Sequence, residues 1–283
     1  VYDLLGGRVH ERIRTYTYLY PTDGRPDVYS DPAQAAEQAA FEVGRGFTAV
    51  KFDPAGPYTA FDGHQPSLED IERSVAITGA IRDAVGSGAD LLFGTHGQFT
   101  AAGAIRLAHR LEQFDPLWFE EPTQPDQPEE MARVARQTSI PVATGERLST
   151  ITEFAALGRH QAAAIWQPNL GRCGGLLTGR KIAAIAEASG CQIAPHLYSG
   201  PILGAANIQL AATLPNLLIV EGIQDWTGFH AELLTTPVEW EDGHVIPSRE
   251  PGLGVELNET VALANPYPFD GDLHLGMADT PLR

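Results

Sequence analysis

Two acids on neighbouring segments carry the chemistry this chain offers first. The stretch from Leu117 to Arg147, LWFEEPTQPDQPEEMARVARQTSIPVATGER, holds two short apolar runs at 117–119 and 140–143. One closes on Glu120-Glu121, the other on Thr144-Gly145-Glu146, and 128–138 between them has helix composition with a charged face. Buried parallel strands read as short apolar runs, and ligands gather at their carboxyl ends. Glu120 and Glu146 are therefore expected side by side at one rim, where a divalent cation could hold them. Oxygen donors without cysteine favour a hard cation, with Mg²⁺ the default.

Further polar residues close other apolar runs: Lys51 and Asp53, His96, Arg147, Gln167 and Asn169, His196, and Glu221. A carboxylate substrate on such a cation has its α-proton acidified, because the metal stabilises the charge that develops. A lysine beside a cation is pushed toward the amine and can act as base. A histidine on the opposite side can protonate a leaving oxygen or a carbon. Plainer readings stand beside these: Lys51 as a structural ion pair with Asp53 or Glu120, and Glu121 as a solvated acid at a strand end. His64, His109, His160, His230 and His244 are read as structural or surface residues. Tyr58, in the loop 56–63, is read either as a substrate contact or as part of an ordinary exposed loop.

The elements that must position these groups follow a regular rhythm. Residues 12–20, RIRTYTYLY, alternate and are rich in β-formers, which fits a first strand. Helix 32–44, strand 49–52, a helix capped by Ser67 with Asp70 three residues on, strand 91–93 and helix 100–112 follow. After the two units above come helix 150–157, strand 163–167, helix 176–188, strand 193–196, helix 203–214 and strand 217–220. The strand-end polar residues 96, 120, 146, 169, 196 and 221 recur every 23 to 27 residues. Eight strand–helix units at this spacing predict an α/β fold, a (β/α)₈ TIM-type barrel over 1–225, with a C-terminal tail at 226–283 packed across it. Neither G-x-G-x-x-G after the first strand nor G-x-x-x-x-G-K-[ST] is present, so the commonest nucleotide-binding folds are excluded.

The 283 residues, 43% hydrophobic and 19% charged, have an ordinary globular composition. Lys and Arg number 19 against 36 Asp and Glu, a net charge of −17 that argues against nucleic acid as partner. No apolar run approaches the roughly 20 residues of a membrane span, and the N-terminus lacks a signal-peptide pattern. Cys173 and Cys191 suggest no disulfide framework and fit small buried hydrophobes in a reducing, cytoplasmic setting.

In order along the chain, KFD, WFEEP, ATGER, QPN-x₄-GG and APH stand on successive strands. This set resembles the enolase superfamily, in its mandelate racemase/muconate lactonizing-like branch, over nearly the whole chain. The resemblance implies Mg²⁺, abstraction of a proton α to a carboxylate, an anionic sugar acid as substrate and a homo-oligomer. It also implies an N-terminal α+β capping domain, absent from this chain, whose first residues begin mid-stride without Met. Carried over by position, Glu120 and Glu146 are metal ligands, His196 is the catalytic histidine and Glu221 the last strand's carboxylate. Lys51 takes the first place of the K-x-K pair as base at C2, with Asp53 in the second place.

Two further departures qualify that pattern. The third-strand ligand, normally Asp, is Gly94, with His96 two residues on. His96 is thus either the third metal ligand or a general acid, as a histidine here is in some sugar-acid dehydratases. Asn169 stands where an Asp usually partners the histidine, so His196 is acid or second base without a charged orienting group. Asp53, Tyr58, Asn169 and Glu221 are the candidate substrate contacts. The strings VKFDPAGPYTAFDGHQPSLEDIERS and FGTHGQ look most like the 3,6-anhydro-L-galactonate cycloisomerases of agar breakdown, which expel a ring ether and leave a 2-keto-3-deoxy acid. Dehydration of an open-chain aldonate or aldarate is the alternative, and a non-catalytic barrel with a decayed metal site is a third reading.

Overall fold

A computed structural model of the chain describes residues 1–55, 63–224 and 226–266. Eight parallel strands run β1 (Ile13–Tyr18), β2 (Ala49–Phe52), β3 (Asp90–Gly94), β4 (Trp118–Glu120), β5 (Val142–Thr144), β6 (Ile165–Trp166), β7 (Gln192–Ile193) and β8 (Val220–Glu221). Each pairs with the next from β1 to β7. The ring closes through β8 on β1, with Tyr16 opposite Glu221, and through a bridge from Ile193 to Leu217. The expected barrel is therefore what the chain forms.

Helices cover the outside: α1 (Pro32–Gly44), α2 (Leu68–Val85), α3 (Ala101–Leu111), α4 (Pro128–Ala135), α5 (Ile151–His160), a short α6 (Leu170–Cys173), α7 (Leu176–Ala188) and α8 (Pro201–Ala211). Their starts follow local chemistry. Asp31 caps α1 ahead of Pro32, whose missing N–H costs nothing in the first turn. Ser67 and Asp70 form the expected capping box on α2, and Thr150 with Glu153 forms another on α5. Helix α8 opens two residues earlier than its apolar pattern suggests, because Pro201 sits at its first position. No helix among the described residues is long and apolar enough to cross a membrane.

Two apolar layers hold this together. Between strands and helices, side chains such as Phe93, Phe119, Leu107, Phe154 and Ile182 are fully buried, each contributing about 1.5–3 kcal/mol. Inside the ring lies a second cluster with one residue from each strand or its extension: Tyr16, Ala49, Leu92, Trp118, Ala143, Ile165, Ala194 and Ile219. Tyr16 meets Trp118 edge to face at 5.3 Å. Cys173 is buried and Cys191 half-buried, both as free thiols.

Beyond the ring, α9 (Phe229–Glu232), β9 (Glu239–Glu241), β10 (His244–Ile246) and α10 (Glu259–Ala264) follow. The β9–β10 hairpin pairs antiparallel with the start of β1, placing Val245 opposite Ile13. Trp240 donates its indole N–H to Thr15 Oγ1 at 3.1 Å and packs on Phe47. This segment thus adds two strands at the end of the barrel away from the strand carboxyl ends.

Candidate active site

Alternation along the strands sets the rim. Two residues past each inward-facing core position, a side chain points to the same face. From Tyr16, Ala49, Leu92, Trp118, Ile165, Ala194 and Ile219 this step leads to Tyr18, Lys51, Gly94, Glu120, Gln167, His196 and Glu221. The fifth strand breaks the register. From Ala143 the step reaches Gly145, at φ 138°, where a Cβ would lie 2.8 Å from Phe154 and 2.9 Å from the Gln167 nitrogen. That turn lets the next residue, Glu146, join the rim.

Lys51 is the centre of the charge arrangement. Its Nζ lies 2.5 Å from Glu120 Oε1 and 3.7 Å from Glu221 Oε1, with all three side chains buried. It also sits 5.9 Å from the Tyr16 ring centre and 5.7 Å from that of Tyr18. Burial works against the ammonium, but Glu120, Glu221 and Glu146 outweigh it and raise the lysine above its ordinary pKa. The other oxygen of Glu120 accepts from Gln167 Nε2 at 2.7 Å and from Trp118 Nε1 at 3.0 Å. Burial pushes the Glu120 carboxyl up, against the pull of Lys51.

Across the rim, His196 Nε2 faces Glu146 Oε2 at 3.4 Å and Glu221 Oε2 at 3.9 Å. Glu221 therefore lies between Lys51 and His196, and its Oε2 accepts the Leu197 N–H at 2.5 Å. Glu146 is held low: burial raises it, but His196, His96 and Lys51 together more than offset that. Asn169 Nδ2 lies 2.9 Å from His196 Nδ1, while Asn169 Oδ1 accepts the Arg172 N–H as the cap of α6.

On the Lys51 side, Tyr18 donates its hydroxyl to Asp53 Oδ2 at 2.6 Å. Burial pushes Asp53 up to about 8, with Tyr18 and Lys51 only partly offsetting it. Its Oδ1 lies 3.9 Å from Nδ1 of His96, a residue in left-handed conformation at φ 51°. Burial lowers His96 to about 4 despite Glu146 nearby.

The structure thus brings Lys51, Asp53, His96, Glu120, Glu146, Asn169, His196 and Glu221 to one rim. Tyr58 lies outside the described residues. One expectation changes. Glu121 is not solvated: it is fully buried, at φ 40°, and accepts from Arg147 Nε at 2.8 Å. Burial and Glu146 raise its pKa, with Arg147 opposing. Without a cation beside it, Lys51 is kept toward the ammonium, because three carboxylates face it. His96 turns its Nδ1 toward Asp53 and lies near enough to Glu146 to be raised by it; among the described residues there is no ready-made group of three or more His, Cys, Asp or Glu side chains for a metal.

Sequence reading also missed Tyr18 and Trp118 as partners of site carboxylates. The signal for Tyr18 was present, since Tyr16 and Tyr18 alternate in TYTY. No pattern marks Trp118 Nε1 as a donor to Glu120.

Glu120 and Glu146 suit a hard cation on the chemistry of the donors. Both are buried carboxylates at adjacent strand ends, and their mutual repulsion calls for positive charge. Residue 94, at the end of the neighbouring third strand, is glycine and offers no side-chain donor. Mg²⁺ commonly engages one or two carboxylates and completes its shell with water and substrate oxygens. The pair fits that mode.

Residues 34–261 match the Enolase C-terminal domain-like family. The chain belongs to this branch of the enolase superfamily. The enolase-type barrel is 33% identical over 262 residues to a D-gluconate dehydratase of Thermoproteus tenax, a match covering 92% of the chain and 51% of that protein. It is 34% identical to a D-gluconate/D-galactonate dehydratase of Picrophilus torridus, over 92% of the chain and 64% of the relative. The enolase-type chain thus spans about half to two thirds of these curated relatives. Among solved structures, a mandelate racemase/muconate lactonizing-type protein of Labrenzia alexandrii DFL-11 is 65% identical, with a TM-score of 0.93 over 97% of the chain and 70% of that protein.

Proposed function

We propose that this barrel forms the chemical half of a sugar-acid dehydratase. One arrangement carries the reading: Lys51 and His196 stand on opposite flanks of the Glu120–Glu146 pair, with Glu221 between them. The names of the gluconate and galactonate dehydratase relatives support the same substrate class.

Mg²⁺ held by Glu120 and Glu146 would supply positive charge against the substrate carboxylate. Without a cation the rim carboxylates hold Lys51 as the ammonium; with positive charge on Glu120 and Glu146 it would stand as the amine and take the proton from C2. The C3–O bond breaks, and the departing hydroxyl leaves as water with a proton from His96, which burial keeps neutral in the free protein and which would take up that proton as the anionic substrate binds. The remaining enol tautomerises to a 2-keto-3-deoxy acid. His196 faces the substrate from the other flank, and Asp53 and Glu221 hold the proton-carrying groups in place.

Ring-ether expulsion from 3,6-anhydro-L-galactonate, suggested by the strings around Lys51 and His96, needs the same groups and differs in keeping the leaving oxygen tethered. The named relatives back water loss instead. Incubating the full-length protein with Mg²⁺ and gluconate, galactonate or the anhydro acid, with product NMR, decides between them. A 2-keto-3-deoxy product from an open-chain acid, abolished by Lys51→Ala, is the expected result. Absence of both Mg²⁺ binding and C2 proton exchange, with Glu120→Gln changing nothing, would leave the non-catalytic barrel standing.

A further inference from the structure

Asn169 is committed on both sides of its amide. Its Oδ1 accepts the Arg172 backbone N–H at 3.2 Å and caps α6. That fixes the carbonyl toward the helix and turns the NH₂ toward His196, 2.9 Å from Nδ1. An amide NH₂ only donates, so the ring nitrogen it meets must carry a lone pair. The backbone that carries the imidazole is fixed as well. The His196 backbone N–H donates to the Pro168 carbonyl at 3.3 Å, and its own carbonyl accepts from Asn207 Nδ2 at 3.0 Å. Both Asn169 and His196 are buried, at 3% and 5% exposure, so water does not replace these partners.

We propose that Asn169 is a positioning residue that holds the His196 proton on Nε2, making this histidine a hydrogen-bond donor toward the substrate and not a proton acceptor. The opposite edge agrees. Nε2 faces two carboxylate oxygens, Glu146 Oε2 and Glu221 Oε2, and nothing on that side donates to it among the contacts described. An aspartate at 169 would accept from Nδ1–H and free Nε2 as a base; the asparagine reverses that polarity. One side-chain atom thus decides which flank of the substrate loses a proton. A neutral imidazole donating to an oxygen that gains charge is a known catalytic device. The catalytic meaning of this assignment rests on the elimination reading above; the proton's position does not.

The test is long-range ¹H–¹⁵N NMR of ¹⁵N-histidine-labelled protein at neutral pH, with and without Mg²⁺, the His196 signals assigned by their loss in His196→Asn. A pyridine-type Nδ1 and a pyrrole-type Nε2 are expected. Asn169→Asp keeps an N-cap acceptor and should exchange the two patterns, whereas Asn169→Ser keeps the cap but is too short to reach the ring and should give a mixture. A pyrrole-type Nδ1 in the unmodified protein, or an unchanged pattern in Asn169→Asp, overturns the proposal. Substrate C2 exchange in D₂O separates the two readings. If Asn169→Asp moves the proton yet gains no His196-dependent exchange, the catalytic role assigned to this flank fails while the tautomer stands.

Discussion

A Cβ built on Gly94 would stand 2.9 Å from Lys51 Cε, so the lysine occupies the space that a side chain at the end of the third strand would need. The two positions are one feature. Where the family's pattern places a third carboxylate, this chain has a buried ammonium 2.5 Å from Glu120.

Gly94→Ala should therefore act on Lys51 before it acts on anything else. The added methyl pushes the lysine end away from Glu120, and overpacking of this kind costs about 1–3 kcal/mol. Chemical denaturation should show that loss. An alanine variant as stable as the original, with the Lys51–Glu120 contact intact, would mean the space is not shared.

Removing the ammonium should make the pocket depend on added cation. Lys51→Met leaves Glu120, Glu146 and Glu221 buried without their central counter-charge, at a cost of about 3–5 kcal/mol. Thermal unfolding should then rise with Mg²⁺ more steeply in Lys51→Met than in the unmodified protein, and EDTA should cancel the difference. Equal responses would argue that Lys51 and the cation do not compete for the same carboxylates.

The buried Glu121–Arg147 pair ties the ends of β4 and β5 together, and the same Glu121 carbonyl accepts from the Gly97 N–H at 2.7 Å and from Thr95 Oγ1 at 3.0 Å. Arg147→Leu should cost about 3–5 kcal/mol, because it strands a fully buried carboxylate. The double variant Glu121→Leu with Arg147→Leu should recover much of that loss. A double-mutant cycle on denaturation midpoints measures the coupling, and simple additivity would refute it.

Acid should loosen the two capping boxes. Hydrogen bonds from the Ser67 and Thr150 side chains lower the pKa of Asp70 and Glu153 respectively. Their contribution is present above the ordinary carboxylate pKa of about 4 and is lost as pH falls through the lowered folded values. Ser67→Ala and Thr150→Val should each cost about 1 kcal/mol at neutral pH. Both should also flatten the stability loss on acidification, as followed by circular dichroism across a pH series.

The barrel and most of its rim were legible because each strand is a short apolar run that stops on a polar residue, and the spacing of those stops repeats. Boundaries were less so. The first strand ends at Tyr18 although β-formers continue to Tyr20, since pairing with β2 stops there. Glu121 was misread because alternation sends it away from the ring interior, toward what looks like solvent. The structure closes that side with Arg147, which is 26 residues away in sequence. The role of His96 was legible only as a choice, because its facing partner, Asp53, lies on another strand. Trp118 was hidden for a similar reason: an apolar run shows that an indole is buried, not where its N–H points.

The inner apolar cluster has a consequence for the electrostatics above it. Tyr16, Leu92, Trp118, Ile165 and their neighbours form a buried, close-packed and largely apolar underside. The ion pairs of the rim are therefore insulated from below by a fixed layer, and only their upper side can exchange one medium for another. Whatever lies across that mouth, water or a second protein surface, sets the effective permittivity felt by Lys51, Glu120, Glu146 and Glu221 together. The strength of the whole constellation is adjusted from a single side.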